Sequence, residues 1–106
     1  MNEPMENTIT ASILIPCRNE EQHIALLLES ILSQDTDAQQ FEVLLLDGLS
    51  EDKTLDIAQN YRKRMANLRI IPNPEKTVPH ALNTGIAEAR GKYIIRMDAH
   101  AEYPVN

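Results

Sequence analysis

Four short apolar runs, each stopped abruptly and each separated from the next by a stretch of helical period, constrain this chain more than any other feature. They are Thr10 to Ile15, Phe41 to Leu46, Leu68 to Ile71 and Lys92 to Met97. Runs this short, rich in β-branched and apolar residues, read as strands buried in a sheet. Tyr93 to Met97 is expected to be a buried strand like the others. The segments between them repeat at a different period. Ile24, Leu27, Leu28, Ile31 and Leu32 fall at i, i+3, i+4, i+7 and i+8, one apolar face of a helix reaching about Ser33. Asn19 is its expected N-cap, with Glu20 and Glu21 in the first turn where the helix dipole favours anions.

The second helix is expected to be capped by Ser50 and to open with Glu51 and Asp52. Leu55, Ala58, Tyr61 and Met65 line its inner face, and Arg62, Lys63 and Arg64 lie in its last turns, the favourable end for cations. Pro79 suits the first turn of a third helix carrying Ala81, Leu82, Ile86 and Ala89. Gly85 inside it is a weakness of about 1 kcal/mol against Ala unless something packs closely there. Gly91 is expected at its C′ stop. The order β-α-β-α-β-α-β predicts an α/β fold: a mostly parallel four-stranded sheet, helices on both faces in three layers, and right-handed crossovers.

At 106 residues the chain suffices for one domain with a modest core. Its net charge of −6 argues against non-specific nucleic-acid binding, which needs a basic surface, but not against a nucleotide ligand. The single Cys17 excludes an internal disulfide and suits a reducing cytoplasm. No apolar run approaches the length of a membrane span. Residues 1–9 read as a flexible, polar N-terminus without the marks of a signal peptide. The sequence stops soon after the fourth strand, and a piece of a longer protein is expected.

In open α/β sheets ligands bind at the carboxyl ends of the strands. Three of the four predicted strands carry polar groups there: Arg18-Asn19-Glu20, Asp47, and Asp98-Ala99-His100. Singly, each reads as a polar turn or a cap for the next helix. Together they suggest recognition of a base or ribose, or metal chelation, at one crevice. The dinucleotide fingerprint G-x-G-x-x-G and the phosphate loop G-x-x-x-x-G-K-[ST] are both absent, so a phosphate-bearing ligand calls for a metal. Asp98 and His100 offer an oxygen and a nitrogen to one divalent ion. Mg²⁺ keeps waters and takes few protein ligands, while Mn²⁺ tolerates imidazole better. His23 reads as a solvated helix residue, His80 as a capping or packing residue, and Cys17 as a small buried side chain.

Four ordered motifs carry a family resemblance: Ile13-Leu14-Ile15-Pro16-Cys17-Arg18-Asn19-Glu20-Glu21; Val43 to Asp47 followed by Gly48-Leu49-Ser50-Glu51-Asp52-Lys53-Thr54; Ala81-Leu82-Asn83-Thr84-Gly85-Ile86; and Arg90 to His100. In order and spacing the chain resembles the family 2 glycosyltransferases, and in wording their succinoglycan-type, exopolysaccharide-building branch. The resemblance covers nearly everything after Ile9. It implies the Rossmann-like, nucleotide-binding half of a GT-A fold over residues 10–106, with the acceptor half absent.

The resemblance further implies an inverting transfer of sugar from a nucleotide-sugar donor, a UDP-sugar by expectation, to a saccharide or lipid-linked acceptor. By position, Pro16, Arg18 and Glu20 border base and ribose, Asp47 sits against the nucleoside, and Asn83 and Gly85 fall on the helix beside the donor. Asp98 and His100 occupy the family's D-x-D, with a divalent ion, Mn²⁺ or Mg²⁺, on the diphosphate. Two positions depart from the pattern: Gly48 stands where many relatives have Asp, and His100 where many have Asp. No catalytic base is matched, so the chain by itself is expected to be inactive. The implied location is cytoplasmic, with the full-length protein's association with the inner membrane face left open. A sheet edge left exposed invites self-association. The rival reading is a non-catalytic, flavodoxin-like or regulatory binding module.

Overall fold

A computed structural model describes residues 9–34 and 40–99. Its elements are β1 (Ile9–Cys17), α1 (Ile24–Leu32), β2 (Phe41–Asp47), α2 (Thr54–Tyr61), β3 (Leu68–Pro72), α3 (Val78–Glu88) and β4 (Gly91–Arg96). All strand pairs are parallel, in the order β3-β2-β1-β4. The chain therefore builds outward from β1 to β3, then crosses back to place β4 on the other side of β1. This is the reversal of strand order at which α/β sheets open a crevice. The α/β, parallel-sheet expectation is met.

Strand pleating divides the core in two. Ile13, Ile15, Val43 and Leu45 face α1 and α2, where Ile24, Leu27, Leu28, Ile31 and Ala58 meet them. Leu14, Leu44 and Leu46 point to the opposite face, against Ala81 of α3. Each fully buried Leu or Ile here contributes about 1.5–3 kcal/mol. The two central strands are thus apolar on both faces, which is why their sequences run without alternation.

Several local expectations need correction. β1 does not stop at Pro16; it pairs with β2 through Pro16 and Cys17. A parallel strand bonds its neighbours through alternate residues, so one missing N–H is tolerated there. Helix α1 begins at Ile24, with His23 rather than Asn19 at its N-cap position, and α2 begins at Thr54 after Lys53 rather than after Ser50. The residues expected to cap the helices are instead used between the two loops, as described below. Helix α2 ends at Tyr61; Met65 is buried beyond it, and Arg62, Lys63 and Arg64 lie in the following turn. Ile57, not Leu55, joins Ala58 and Tyr61 against the core. On α3, Ile86 is exposed while Leu82 and Ala89 pack inward. Thr77 caps α3, accepting the His80 backbone N–H, and Pro79 lies in the first turn as expected.

Gly91 is not a left-handed helix stop. It starts β4, and no glycine of the described residues has a positive φ. Its reason is space: a Cβ there would lie 2.6 Å from both the Ala11 carbonyl carbon and the Ser12 nitrogen. Gly85 does have the close neighbour its position calls for. A Cβ there would stand 2.9 Å from a Leu14 methyl.

The largest correction concerns β4, which was expected to be buried. It is an edge strand, and Tyr93, Ile94 and Ile95 are 57%, 45% and 43% exposed. An apolar run cannot by itself distinguish a strand covered within its own chain from one left open beside β1.

Candidate functional site

The loops after β1 and β2 are joined by reciprocal hydrogen bonds. Asn19 takes a left-handed backbone, φ 54°, and its N–H donates to Ser50 Oγ at 2.9 Å. Its side-chain Oδ1 accepts the Glu51 N–H at 2.7 Å. The Glu20 N–H donates to Thr54 Oγ1 at 2.7 Å, the Glu21 N–H to Asp52 Oδ2 at 3.2 Å, and the Lys53 N–H to Glu21 Oε1 at 2.9 Å. Asp47, 3% exposed, closes its own loop by accepting the Ser50 N–H and hydroxyl at 3.1 and 2.5 Å. Arg18 crosses between the loops, donating to the Gly48 and Leu49 carbonyls at 3.1 and 3.2 Å. The two polar motifs, far apart in sequence, are thus one scaffold at the carboxyl edge.

Beside this scaffold, between the ends of β1 and β4, lies an open cleft of about 400 Å³. Pro16, Cys17, Arg18 and Glu20 line it from β1, Arg96 and Asp98 from β4, and Asn73, Lys76, Thr77, Val78 and Ala81 from the β3–α3 connection and α3. One further backbone bond past β4, Met97 N–H to Leu14 O at 3.0 Å, carries Asp98 to the cleft mouth. Ala99 then turns inward and is buried with the α1 and α2 core. The cleft wall is mixed in charge: Arg18, Lys76 and Arg96 against Glu20 and Asp98. Asp98 is held by Arg96, 3.2 Å from the guanidinium.

Of the residues singled out from sequence, Pro16, Arg18, Glu20 and Asp98 come together in this cleft. Asp47 lies one strand away with its carboxylate engaged by Ser50, and Asn83 is exposed on α3; neither lines the cleft. His100 lies outside the described residues. His23 pairs with Glu20 at 3.1 Å, and His80 Nδ1 meets Thr77 Oγ1 at 2.6 Å, so both serve helix starts.

The Cys17 thiol is pushed up to about 12 by burial, then by the charges of Asp47, Glu20 and Asp52, so it is a neutral wall residue rather than a nucleophile. Sequence reasoning missed Asn73, Lys76 and Arg96. The available signal was the polar stretch Asn73 to Thr77 at a strand's carboxyl end, the same feature noted at the other strands.

The described residues hold no cluster of three or more His, Cys, Asp or Glu able to hold a metal. Of the two carboxylates lining the cleft, Glu20 and Asp98, Asp98 is the exposed one and offers a hard oxygen donor. That fits the sparse protein ligation of Mg²⁺-like ions, for which phosphate oxygens and water complete the shell.

The model of one protein family, glycosyl transferase family 2, matches residues 12–106. The chain belongs to that family. Among its relatives it is 40% identical over 95 residues to a dolichyl N-acetyl-alpha-D-glucosaminyl phosphate 3-beta-D-2,3-diacetamido-2,3-dideoxy-beta-D-glucuronosyltransferase of Methanococcus voltae, covering 88% of this chain and 29% of the relative. It is 37% identical over 102 residues to the succinoglycan biosynthesis protein ExoA of Rhizobium meliloti, covering 93% of this chain and 31% of the relative.

Solved structures share its fold, two of them in complex with a nucleotide-sugar. The Pyrobaculum calidifontis mannosyltransferase PcManGT, in complex with GDP-Man and Mn²⁺, superposes with a TM-score of 0.84 at 27% identity, over 92% of this chain and 29% of that one. Staphylococcus aureus TarS in complex with UDP-GlcNAc gives 0.76 at 30%, over 87% and 27%. The family 2 resemblance, its succinoglycan-type flavour and the GT-A fold are therefore borne out. The chain spans about a third of the length of the curated relatives it matches.

Proposed function

We propose that this chain is the donor-binding part of a glycosyltransferase that moves a sugar from a nucleotide-sugar, a UDP-sugar, to a saccharide or lipid-linked acceptor in polysaccharide biosynthesis. The observation that carries the reading is the cleft at the β1–β4 switch point, lined by Pro16, Arg18, Glu20 and Asp98 in a family 2 chain. Neighbours of this fold bind UDP-GlcNAc and GDP-Man, the latter with Mn²⁺.

In this reading residues 10–106 form the donor domain. Pro16, Arg18 and Glu20 border the nucleoside, and the Asp47 scaffold fixes their loop. Asn83 stands on the helix beside the donor. Asp98 and His100 would hold a divalent ion, Mn²⁺ or Mg²⁺. When bound, such an ion supplies charge neutralisation for the departing diphosphate. Arg96 pairs with Asp98 Oδ1 and would compete with such an ion for the carboxylate. The acceptor hydroxyl is deprotonated by a base that no described residue of this chain provides, and displacement at the anomeric carbon inverts its configuration. The place of action in this reading is the cytoplasm.

Calorimetric titration with UDP, with and without Mn²⁺, on the wild type and on Asp98→Ala tests this. UDP binding strengthened by Mn²⁺, with the strengthening lost in Asp98→Ala, is the expected result. No heat with UDP in either condition sinks the donor reading. Metal-independent binding unchanged in Asp98→Ala sinks the metal role alone.

A further inference from the structure

The cleft's three cations are not equivalent. Arg18 is committed to the Gly48 and Leu49 carbonyls. Arg96 is committed to Asp98. Among the described residues Lys76 forms no ion pair, yet it lines the same cleft and is exposed to solvent. Its backbone is also unusual: φ is 67°, the left-handed region that a side chain bearing a Cβ disfavours. The surroundings impose that conformation. The Lys76 N–H donates to the Asn73 carbonyl at 3.0 Å, and Asn73, 3% exposed, donates through Nδ2 to the Thr77 carbonyl at 3.0 Å. The Asn73 N–H in turn donates to the Asp47 carbonyl at 2.7 Å, tying the turn to the end of β2. A glycine would fit this backbone better than any other residue. A lysine held in a glycine's conformation, facing the cleft with its charge uncommitted, points to a ligand role for the side chain.

We infer that Lys76 is a donor-binding residue whose ammonium meets the diphosphate of a nucleoside diphosphate sugar in the cleft it shares with Asp98. The inference rests on the donor reading above and adds to it a contact independent of the metal. In that reading, an ion held at Asp98 would supply a second positive charge to the same diphosphate. A contact to the diphosphate alone leaves binding of the nucleoside without its phosphates independent of Lys76.

The test titrates UDP and uridine into the 106-residue chain and its Lys76→Gln, Lys76→Arg and Lys76→Gly variants, in Mn²⁺ and in chelator. Lys76→Gln is expected to weaken UDP about tenfold, roughly 1.4 kcal/mol, in both conditions while leaving uridine within about twofold. Lys76→Arg retains UDP within about threefold, since the charge is kept. Lys76→Gly loses UDP affinity as Lys76→Gln does, yet raises the thermal midpoint, separating ligand contact from fold. If wild type binds UDP and Lys76→Gln binds it equally well, the inference fails and the donor reading stands. If Lys76→Gln weakens UDP and uridine alike, the residue only shapes the loop and the inference fails. If wild type binds no UDP at all, the donor reading falls and this inference with it.

Discussion

At the scale of single residues, two glycines make opposite demands. A Cβ at Gly91 would run into backbone atoms of Ala11 and Ser12, which cannot step aside without breaking the β1–β4 pairing. Gly91→Ala is expected to cost about 2–3 kcal/mol, measured by urea unfolding. A Cβ at Gly85 would meet only the flexible end of Leu14. The gain in helix propensity offsets that crowding, so Gly85→Ala is expected to stay within about 1 kcal/mol of wild type. A Gly85→Ala loss as large as that of Gly91→Ala would refute this account.

Glu42 carries the second residue-scale prediction. It is 3% exposed, and burial acts to raise its pKa. The Arg90 N–H at 2.6 Å, the Ser12 hydroxyl at 2.7 Å and Arg69 at 3.4 Å outweigh that and hold its carboxyl below the usual range. A folded pKa below the unfolded one, about 4.3, stabilises the protein above that pH. The stabilisation is lost as pH falls through the folded value. Stability is therefore expected to be level above about pH 5 and to fall below about pH 4. Glu42→Gln should flatten part of that fall, the rest belonging to Glu29 and Asp52, whose carboxyls are also lowered. An unchanged acid slope in Glu42→Gln would remove Glu42 from the explanation.

At the scale of elements, strands and helices were legible in the sequence because their periods differ, and their order dictated the parallel sheet. Helix starts were not. Asn19 and Ser50 look like N-caps, and their side chains do accept backbone N–H groups, but from the opposite loop. The chemistry of a cap was read correctly and its partner was not, because loop-to-loop bonding across 31 or 32 residues leaves no local mark. Lys76 was missed for a related reason: only the return of α3 across the sheet brings the β3–α3 loop to the cleft.

Element β4 was misjudged as buried, and its exposure has a measurable consequence. Tyr93, Ile94 and Ile95 on an open strand edge are a template for pairing with another copy. Concentration-dependent association is expected in sedimentation velocity, and Ile94→Lys should shift the chain toward monomer without lowering its unfolding free energy by more than about 0.5 kcal/mol. A wild type that remains monomeric at high concentration contradicts it.

For the molecule as a whole, the site divides into a scaffold and a cleft. The scaffold, Asp47 with the two stitched loops, is held by hydrogen bonds between the β1 and β2 loops. The cleft beside it has charged walls from three separate segments. The chain spans 29–31% of the length of its curated relatives, and in the proposed reading it holds the donor while the base that activates the acceptor belongs to the longer protein. The purified 106 residues are expected to bind UDP yet release no sugar from a UDP-sugar to any acceptor above the rate of a heat-denatured control. Sugar transfer above that control would show that a base lies within them.

The position of β1 at the centre of the sheet also sets a timetable. Ser12 meets Glu42 30 residues later in the chain, but meets Gly91 only after 79. At translation rates of about 5–20 residues per second, β1 is made roughly 4–16 s before the strand that completes its second side. Throughout that interval β1 and β2 can pair while the crevice has only one wall. The cleft is completed only when β4 pairs with β1, after β1, β2 and β3 have all been made.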